Sequence, residues 1–302
     1  MTARGPILVA TDFSPAADLA LDRAIALARE HQAEVVLAYG EAFVDRSPIG
    51  DEGAVMSELG ALAESLRADE RRELEVRLAR VGAAGVTGRV LAREGAPGEL
   101  VPALAAELGA WLVVIGTHGR TGITRFLLGS VAELVVRRTA CDVLVVRASA
   151  APASGAFREL VVATDFSAPA EAALRAAVAL AVPGARVRLV HSWQYPVGAW
   201  GLNLLGEHSR AASTVREAIT STAQANLDRL VAAHQKDGVT VEGLLVEGPA
   251  ASAVTDLAER EQVDLIAIAT HGHRGVERWL LGSVAEATVR HAPCSVLVVH
   301  AH

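Results

Sequence analysis

Two glycine-rich segments carry the residues best suited to chemistry. Residues 116–130 read Gly-Thr-His-Gly-Arg-Thr-Gly-Ile-Thr-Arg-Phe-Leu-Leu-Gly-Ser, with Gly116, Gly119, Gly129 and Ser130 as fixed points. Residues 269–283 repeat the pattern with Ala269, Gly272, Gly282 and Ser283. Each segment follows a short apolar run and leads into an amphipathic stretch, so each reads as a loop from a strand into a helix. Glycine allows positive φ and close approach of a ligand to the backbone. The free N–H groups of a helix start bind anions, aided by a dipole worth roughly 0.3–1 kcal/mol per charge. Ser130 adds a hydroxyl donor at that point, as Ser283 does in the repeat. The pattern suits a phosphate cradle, and equally a glycine-rich turn with an ordinary helix cap. It lacks the Gly-Lys-Ser/Thr of a Walker loop and the spacing of a dinucleotide fingerprint.

A second kind of residue stands earlier in each half. Asp12 and Asp165 each follow an apolar strand and precede Phe-Ser. A carboxylate there can accept from an adenine amino group or a ribose hydroxyl, or it can cap the next helix, and the two roles are compatible. His118 and His271 lie inside the glycine segments, where a structural hydrogen bond is the simpler role. Arg120, Arg125 and Arg278 are read as solvated or paired with surface acids, with phosphate as the alternative. No His, Cys, Asp and Glu set has metal-ligand spacing. Cys141 and Cys294 precede the last strand of each half and read as small packed residues. They would meet only if the halves pair about a pseudo-twofold axis.

The elements that must position these groups follow from an internal repeat. Ala10-Thr11-Asp12-Phe13-Ser14 returns as Ala163-Thr164-Asp165-Phe166-Ser167, an offset of 153 (165 − 12) that the glycine segments and the two cysteines share. The chain therefore divides into a first domain, 1–147, a linker, 148–157, rich in Ala and Ser, and a second domain, 158–302. In the first domain, strands are expected near 7–10, 35–39, 86–92, 111–115 and 143–146. In the second they fall near 160–163, 187–191, 239–246, 265–269 and 296–299. Helices lie between, with long middle helices near 59–82 and 209–234. Asp69 to Arg80 reads as the wet side of the first of these. Trp111 stands where the second half has Asp264, a difference read as structural. Trp193 and Trp200 follow the second strand of the later half, where a lid over a ligand and local packing are both open. Apolar strands alternating with helices predict a parallel sheet covered on both faces. In such sheets ligands bind beyond the carboxyl ends of the strands, where the strand order switches.

Of 302 residues, 51% are hydrophobic and only 4% aromatic, enough to bury two cores. A net charge of −7 makes nucleic acid and anionic membranes poor partners. No apolar run is long enough to span a bilayer, and no leader segment is visible. Two cysteines build no disulfide framework. The expectation is a soluble cytoplasmic protein.

The spacing Gly116-x2-Gly119-x9-Gly129-Ser130, the opening Ala-Thr-Asp-Phe-Ser and the closing Cys-Asp-Val-Leu-Val-Val together resemble the ATP-binding branch of the universal stress protein family. The resemblance covers nearly all of both halves. It implies an α/β fold of two tandem open parallel five-stranded sheets, order 3-2-1-4-5, with helices on both faces (nucleotide α-hydrolase-like, flavodoxin- or Rossmann-like). It implies pairing of the domains through their last strands, with a homodimer as a further arrangement. The implied ligand is ATP, ADP or AMP, with Mg2+ as a companion of ATP. Carried onto this chain, the implied contacts are Asp12, Gly40, Gly116, Gly119, Gly129, Ser130 and Val131. The second set is Asp165, Ser192, Gly272, Gly282, Ser283 and Val284. Gly40 and Ser192 stand for backbone at the end of the second strand that reads adenine. Ala269 replaces the first glycine of the second set, so the first site is expected to be the better formed. Gly116→Ala is expected to weaken nucleotide binding there. The function implied is a nucleotide-binding stress or signalling protein, at most a slow ATPase. A nucleotide-independent interaction module and an adenylate-transferring enzyme are the alternatives.

Overall fold

The computed structural model describes residues 5–41, 53–117, 128–147, 157–194, 210–270 and 281–300. The first half contains β1 (Ile7–Ala10), α1 (Pro15–His31), β2 (Val35–Glu41), α2 (Gly53–Ala83), β3 (Gly88–Glu94), α3 (Pro97–Leu108), β4 (Leu112–Gly116), α4 (Ser130–Arg138) and β5 (Asp142–Val146). The second half contains β6 (Phe157–Ala163), α5 (Ala168–Leu180), β7 (Ala181–Trp193), α6 (Arg210–Ala233), β8 (Val239–Glu247), α7 (Ala250–Arg260), β9 (Leu265–Ala269), α8 (Ser283–His291) and β10 (Ser295–Val299).

Each half has the order 3-2-1-4-5 with parallel pairing, as expected. The two sheets are joined through their last strands, as the resemblance implies. β5 and β10 pair antiparallel, Leu144 opposite Leu297, and join the halves into one ten-stranded sheet, β3-β2-β1-β4-β5-β10-β9-β6-β7-β8. The reason lies in the last strands. Val143, Val145, Val296 and Val298 enter the core on one face, while Leu144, Val146, Leu297 and Val299 enter it on the other. A strand apolar on both faces is a hazardous edge, and pairing two of them covers both.

The faces divide the helices. α1, α2, α5 and α6 cover one core, with Leu21, Val81, Leu174 and Leu227 fully buried or nearly so. α3, α4, α7 and α8 cover the other through Leu104, Val135, Val254 and Val289. Both cores run continuously across the two halves.

Several boundaries differ from expectation. Phe157, assigned to the linker, is the first residue of β6 and is fully buried. β3 starts at Gly88, because Val86 still belongs to the exit of α2, its N–H bonded to the Val81 carbonyl. β7 starts at Ala181, well before the apolar run, because Ala181 pairs with Phe157 across a register shift in β6. Trp193 is the last residue of β7 and is buried, not part of a loop; the Arg216 guanidinium lies 5.7 Å from its ring centre. Trp200 lies outside the described residues. Asp264 accepts from the N–H groups of Arg158 and Glu159, whereas Trp111 packs edge-on against His31, so that difference is structural.

Candidate functional site

Strand order reverses direction between β1 and β4 in the first half, and between β6 and β9 in the second. Val9 pairs with Val114 and Val162 with Ala267. Asp12 and Thr117 each lie just beyond the carboxyl end of one of these paired strands, as do Asp165 and Thr270. The acidic residues and the stems of the glycine segments therefore both stand at the switch point of each half.

The turn after β1 is built by its own side chains. Asp12 Oδ1 accepts from the Ser14 N–H at 3.0 Å, and Thr11 Oγ1 accepts from the Phe13 N–H at 3.2 Å. Ser14 then caps α1 by accepting from the Ala17 N–H. Phe13 is forced to φ 65, a region bulky residues rarely occupy. Its ring stacks on Tyr39 with centroids 4.7 Å apart, which offsets the strain. The second half repeats every step. Asp165 accepts from Ser167, Thr164 from Phe166, and Ser167 from Ala170. Phe166 also has φ 65, and it stacks on His191 at 4.3 Å. Asp12 and Asp165 each close the turn before the next helix, the capping role read from the sequence, and each stands just beyond the carboxyl end of its strand.

The stems of the glycine segments are pinned by backbone. The Gly129 N–H donates to the Thr117 carbonyl at 2.9 Å, and the Gly282 N–H donates to Thr270 at 2.8 Å. Gly129 and Gly282 are the N-caps of α4 and α8, and neither helix has a side-chain cap. Helices α1 and α5 are instead closed by Ser14 and Ser167. Helices α3 and α7 also lack side-chain caps, but they start after β3 and β8, at the outer edges of the sheet. Among the described helix starts, α4 and α8 alone combine a glycine cap with a place at the switch point. Ser130 and Ser283 are exposed there, and Val284 is 37% exposed. Gly119, Gly272, His118, His271, Arg120, Arg125 and Arg278 lie outside the described residues.

Gly116 has a packing role in addition to the one its spacing suggests. A Cβ there would meet the backbone of Ala16 at 2.8 Å, so the glycine admits the first turn of α1 against the end of β4. Ala269, its counterpart, is buried with the core of α5 and β9. Its methyl group packs within the protein core. Gly40 is likewise required by packing, because a Cβ would lie 2.9 Å from the Gly95 carbonyl oxygen. β2 nevertheless runs three residues past its last pairing with β1, Ala38 with Ala10, and β7 runs three past Val190 with Ala163. The backbone of Gly40 and Ser192 sits in these overhangs.

The cysteines are not nucleophiles. Burial pushes both thiols up to about 12. Nor do they approach each other. The antiparallel register, continued from Val296 opposite Val145, sets Cys294 opposite Arg147 and Cys141 opposite His300, at the two ends of the ladder. Among the described residues there is no cluster of three or more His, Cys, Asp or Glu side chains that could hold a metal. Among them, too, no helix is long and apolar enough to cross a membrane.

The model of the universal stress protein family matches residues 4–147 and again 156–300. The chain belongs to the universal stress protein family. It is a tandem of two such domains. A universal stress protein of Staphylococcus haemolyticus is 30% identical over 147 residues, 48% of this chain and 86% of its own. The crystal structure of a universal stress protein from Archaeoglobus fulgidus has a TM-score of 0.61 at 19% identity, covering 99% of both chains. A functionally unknown protein from Pseudomonas aeruginosa gives the same TM-score at 18% identity, covering 99% of this chain and 92% of its own. The two structures share the fold of the whole tandem.

Sequence reasoning singled out Asp12 and Asp165 but passed over their neighbours. Thr11, Phe13 and Thr117, with Thr164, Phe166 and Thr270, build the turn and anchor the loop stems beside the cap residue Ser14, which the Ser-Pro pair does announce. Their identity in both halves was the available signal.

Proposed function

We propose that each half binds an adenine nucleotide, ATP in the first instance. The observation that carries this reading is the pair of glycine-led, side-chain-uncapped helix starts at the switch point, each with an aspartate alongside. The N–H groups of Ser130 and Val131 would hold phosphate oxygens, with the Ser130 hydroxyl as a further donor. Asp12 would accept from the nucleoside, and the overhanging backbone at Gly40 would read the adenine edge. Ser283, Val284, Asp165 and Ser192 would do the same in the second half. Gly119 and Gly272 belong to the proposed loops by their spacing. Mg2+ would enter with the polyphosphate, and no carboxylate of the chain is assigned to it.

Binding, with at most slow hydrolysis, is the function in this reading, since no residue is assigned as a base for water. The domain limits, 1–147 and the region after residues 148–156, are part of the proposal, and limited proteolysis is expected to cut between them. A thermal-shift series with ATP, ADP, AMP and GTP tests the reading. The adenine nucleotides should raise the melting temperature, and GTP should not reproduce the shift. Equal shifts with GTP and ATP would remove the adenine assignment, and no shift with any would remove the nucleotide.

A further inference from the structure

We propose that the two candidate nucleotide sites are coupled through a closed circuit of hydrogen bonds that passes through both glycine-led helix starts. The inference rests on the nucleotide reading above and adds a regulation to it.

The circuit can be followed atom by atom. In the first half, the Gly129 N–H donates to the Thr117 carbonyl, and the Thr117 N–H donates to Val146 at 3.2 Å. The next residue, Arg147, crosses into the second half. Its Nη2 donates to the carbonyls of Val289 at 2.7 Å and Arg290 at 2.9 Å, in the last turn of α8. α8 leads back along its axis to Gly282. There the Gly282 N–H donates to Thr270, and the Thr270 N–H donates to Val299 at 3.0 Å. The next residue, His300, crosses back. Its Nε2 lies 3.1 Å from the Val136 carbonyl oxygen in the last turn of α4, and α4 leads back to Gly129.

Each short helix is therefore held at its start by its own half and at its end by the other. Its nine residues form a rod about 13 Å long. A ligand that fixes the start of α4 also fixes the carbonyls that His300 meets, and the stem Thr117–Val146 that carries Arg147. Further contacts brace the crossing. The Arg137 guanidinium lies 3.4 Å from Glu286 between the two helices. The His300 N–H donates to Asp142, and the Arg147 N–H to Ser295. The Arg147 link carries two charge-assisted bonds and is the stronger of the two crossings. By linkage, whatever one site does to the affinity of the other is returned in equal measure.

Hydrogen exchange with ATP as the probe tests the coupling on the full chain. In Ser283→Glu a carboxylate occupies the start of α8 and blocks the second site, so ATP reaches the first site only. The double variant Ser130→Glu/Ser283→Glu supplies the unliganded control. ATP should slow exchange at residues 129–132 directly, and should change exchange across 284–291 by about fivefold, the lower range of allosteric couplings. Adding Arg147→Met should keep the first response and abolish the second. Arg147→Lys, which keeps the charge but loses the forked donor, should leave a reduced second response and serves if the methionine variant folds poorly. Protection at 129–132 without any change in α8 overturns the coupling. So does an α8 response that survives both substitutions at Arg147. Absence of protection at 129–132 in millimolar ATP is a separate result that removes the nucleotide reading and the coupling with it.

Discussion

The two halves present the same rim over different supports. At the rim, Thr-Asp-Phe-Ser makes identical hydrogen bonds and the same positive-φ turn in both. Beneath it, the first half is ionic. Tyr39 donates to Glu70, and Arg77 binds Asp18 through two bonds at 2.9 and 3.1 Å, also reaching Glu73 and the Phe13 carbonyl. Arg80 adds bonds to Asp18 and Asp22. In the second half the facing helix α6 instead buries Leu227 and Leu230, 0% and 1% exposed. His191 meets the Thr164 carbonyl where Tyr39 meets Glu70. The rim is dictated by local backbone geometry, which admits few solutions. The support has only to hold a helix against a sheet, and both an ion network and an apolar contact do that.

Substitution at the support positions should break this comparison most sharply. Leu230→Ala leaves a cavity in a closed apolar site and should cost about 2–5 kcal/mol by chemical denaturation. Arg77→Ala should cost less, about 1–2 kcal/mol, because Asp18 and Glu73 are themselves 33% and 54% exposed and water can take them over. The Arg77 cost should shrink in high salt and the Leu230 cost should not. Equal salt dependence at the two positions would contradict the distinction between supports.

The glycine and alanine at the ends of β4 and β9 sharpen it further. Gly116→Ala drives a methyl group into the backbone of Ala16 and should destabilise the first half by about 1–3 kcal/mol. Ala269→Gly should cost only about 1 kcal/mol, from a lost methyl contact and added chain entropy. Any loss of nucleotide affinity in Gly116→Ala should therefore accompany a loss of stability, which thermal unfolding and calorimetry on the same sample will separate. At the rim, where the halves agree, Ser14→Ala and Ser167→Ala should each cost about 1 kcal/mol, and their costs should match.

The smallest effect concerns the thiols. Both are raised by burial from 9.0 to about 12, so the folded chain holds protons that the unfolded chain releases. Their contribution is complete below pH 9 and is lost as pH rises from 9 towards 12. Alkylation at pH 8 should be slow at both in the folded protein. It should be slower at Cys294, which is 1% exposed, than at half-buried Cys141.

Most of the fold was legible because apolar runs, helix caps and an internal repeat all point the same way. Ser14-Pro15 announces α1, and Val-Leu-Val-Val announces β5 and β10. The union of the two sheets followed from the family resemblance, since a strand apolar on both faces shows the need for a partner without naming it. At the site, Asp12 and Ser130 could be read from type and spacing. The packing duty of Gly116 could not, because the atom it makes room for, in Ala16, is a hundred residues away. Nor could Arg77, which shares its helix with a row of wet charges and differs from them in being buried against Asp18 and Phe13. Arg147 and His300 were hidden for the same reason, as their partners lie in the other half.

The claim on which the rest depends is that backbone donors at the starts of α4 and α8 hold a polyphosphate. Isothermal calorimetry of ATP against the intact chain, Ser130→Glu and Ser283→Glu tests it most directly. Two sites should saturate in the intact chain, and each variant should retain one, because a fixed carboxylate takes the place of the phosphate. Unchanged stoichiometry and affinity in both variants would show that nucleotide, if bound, is held elsewhere.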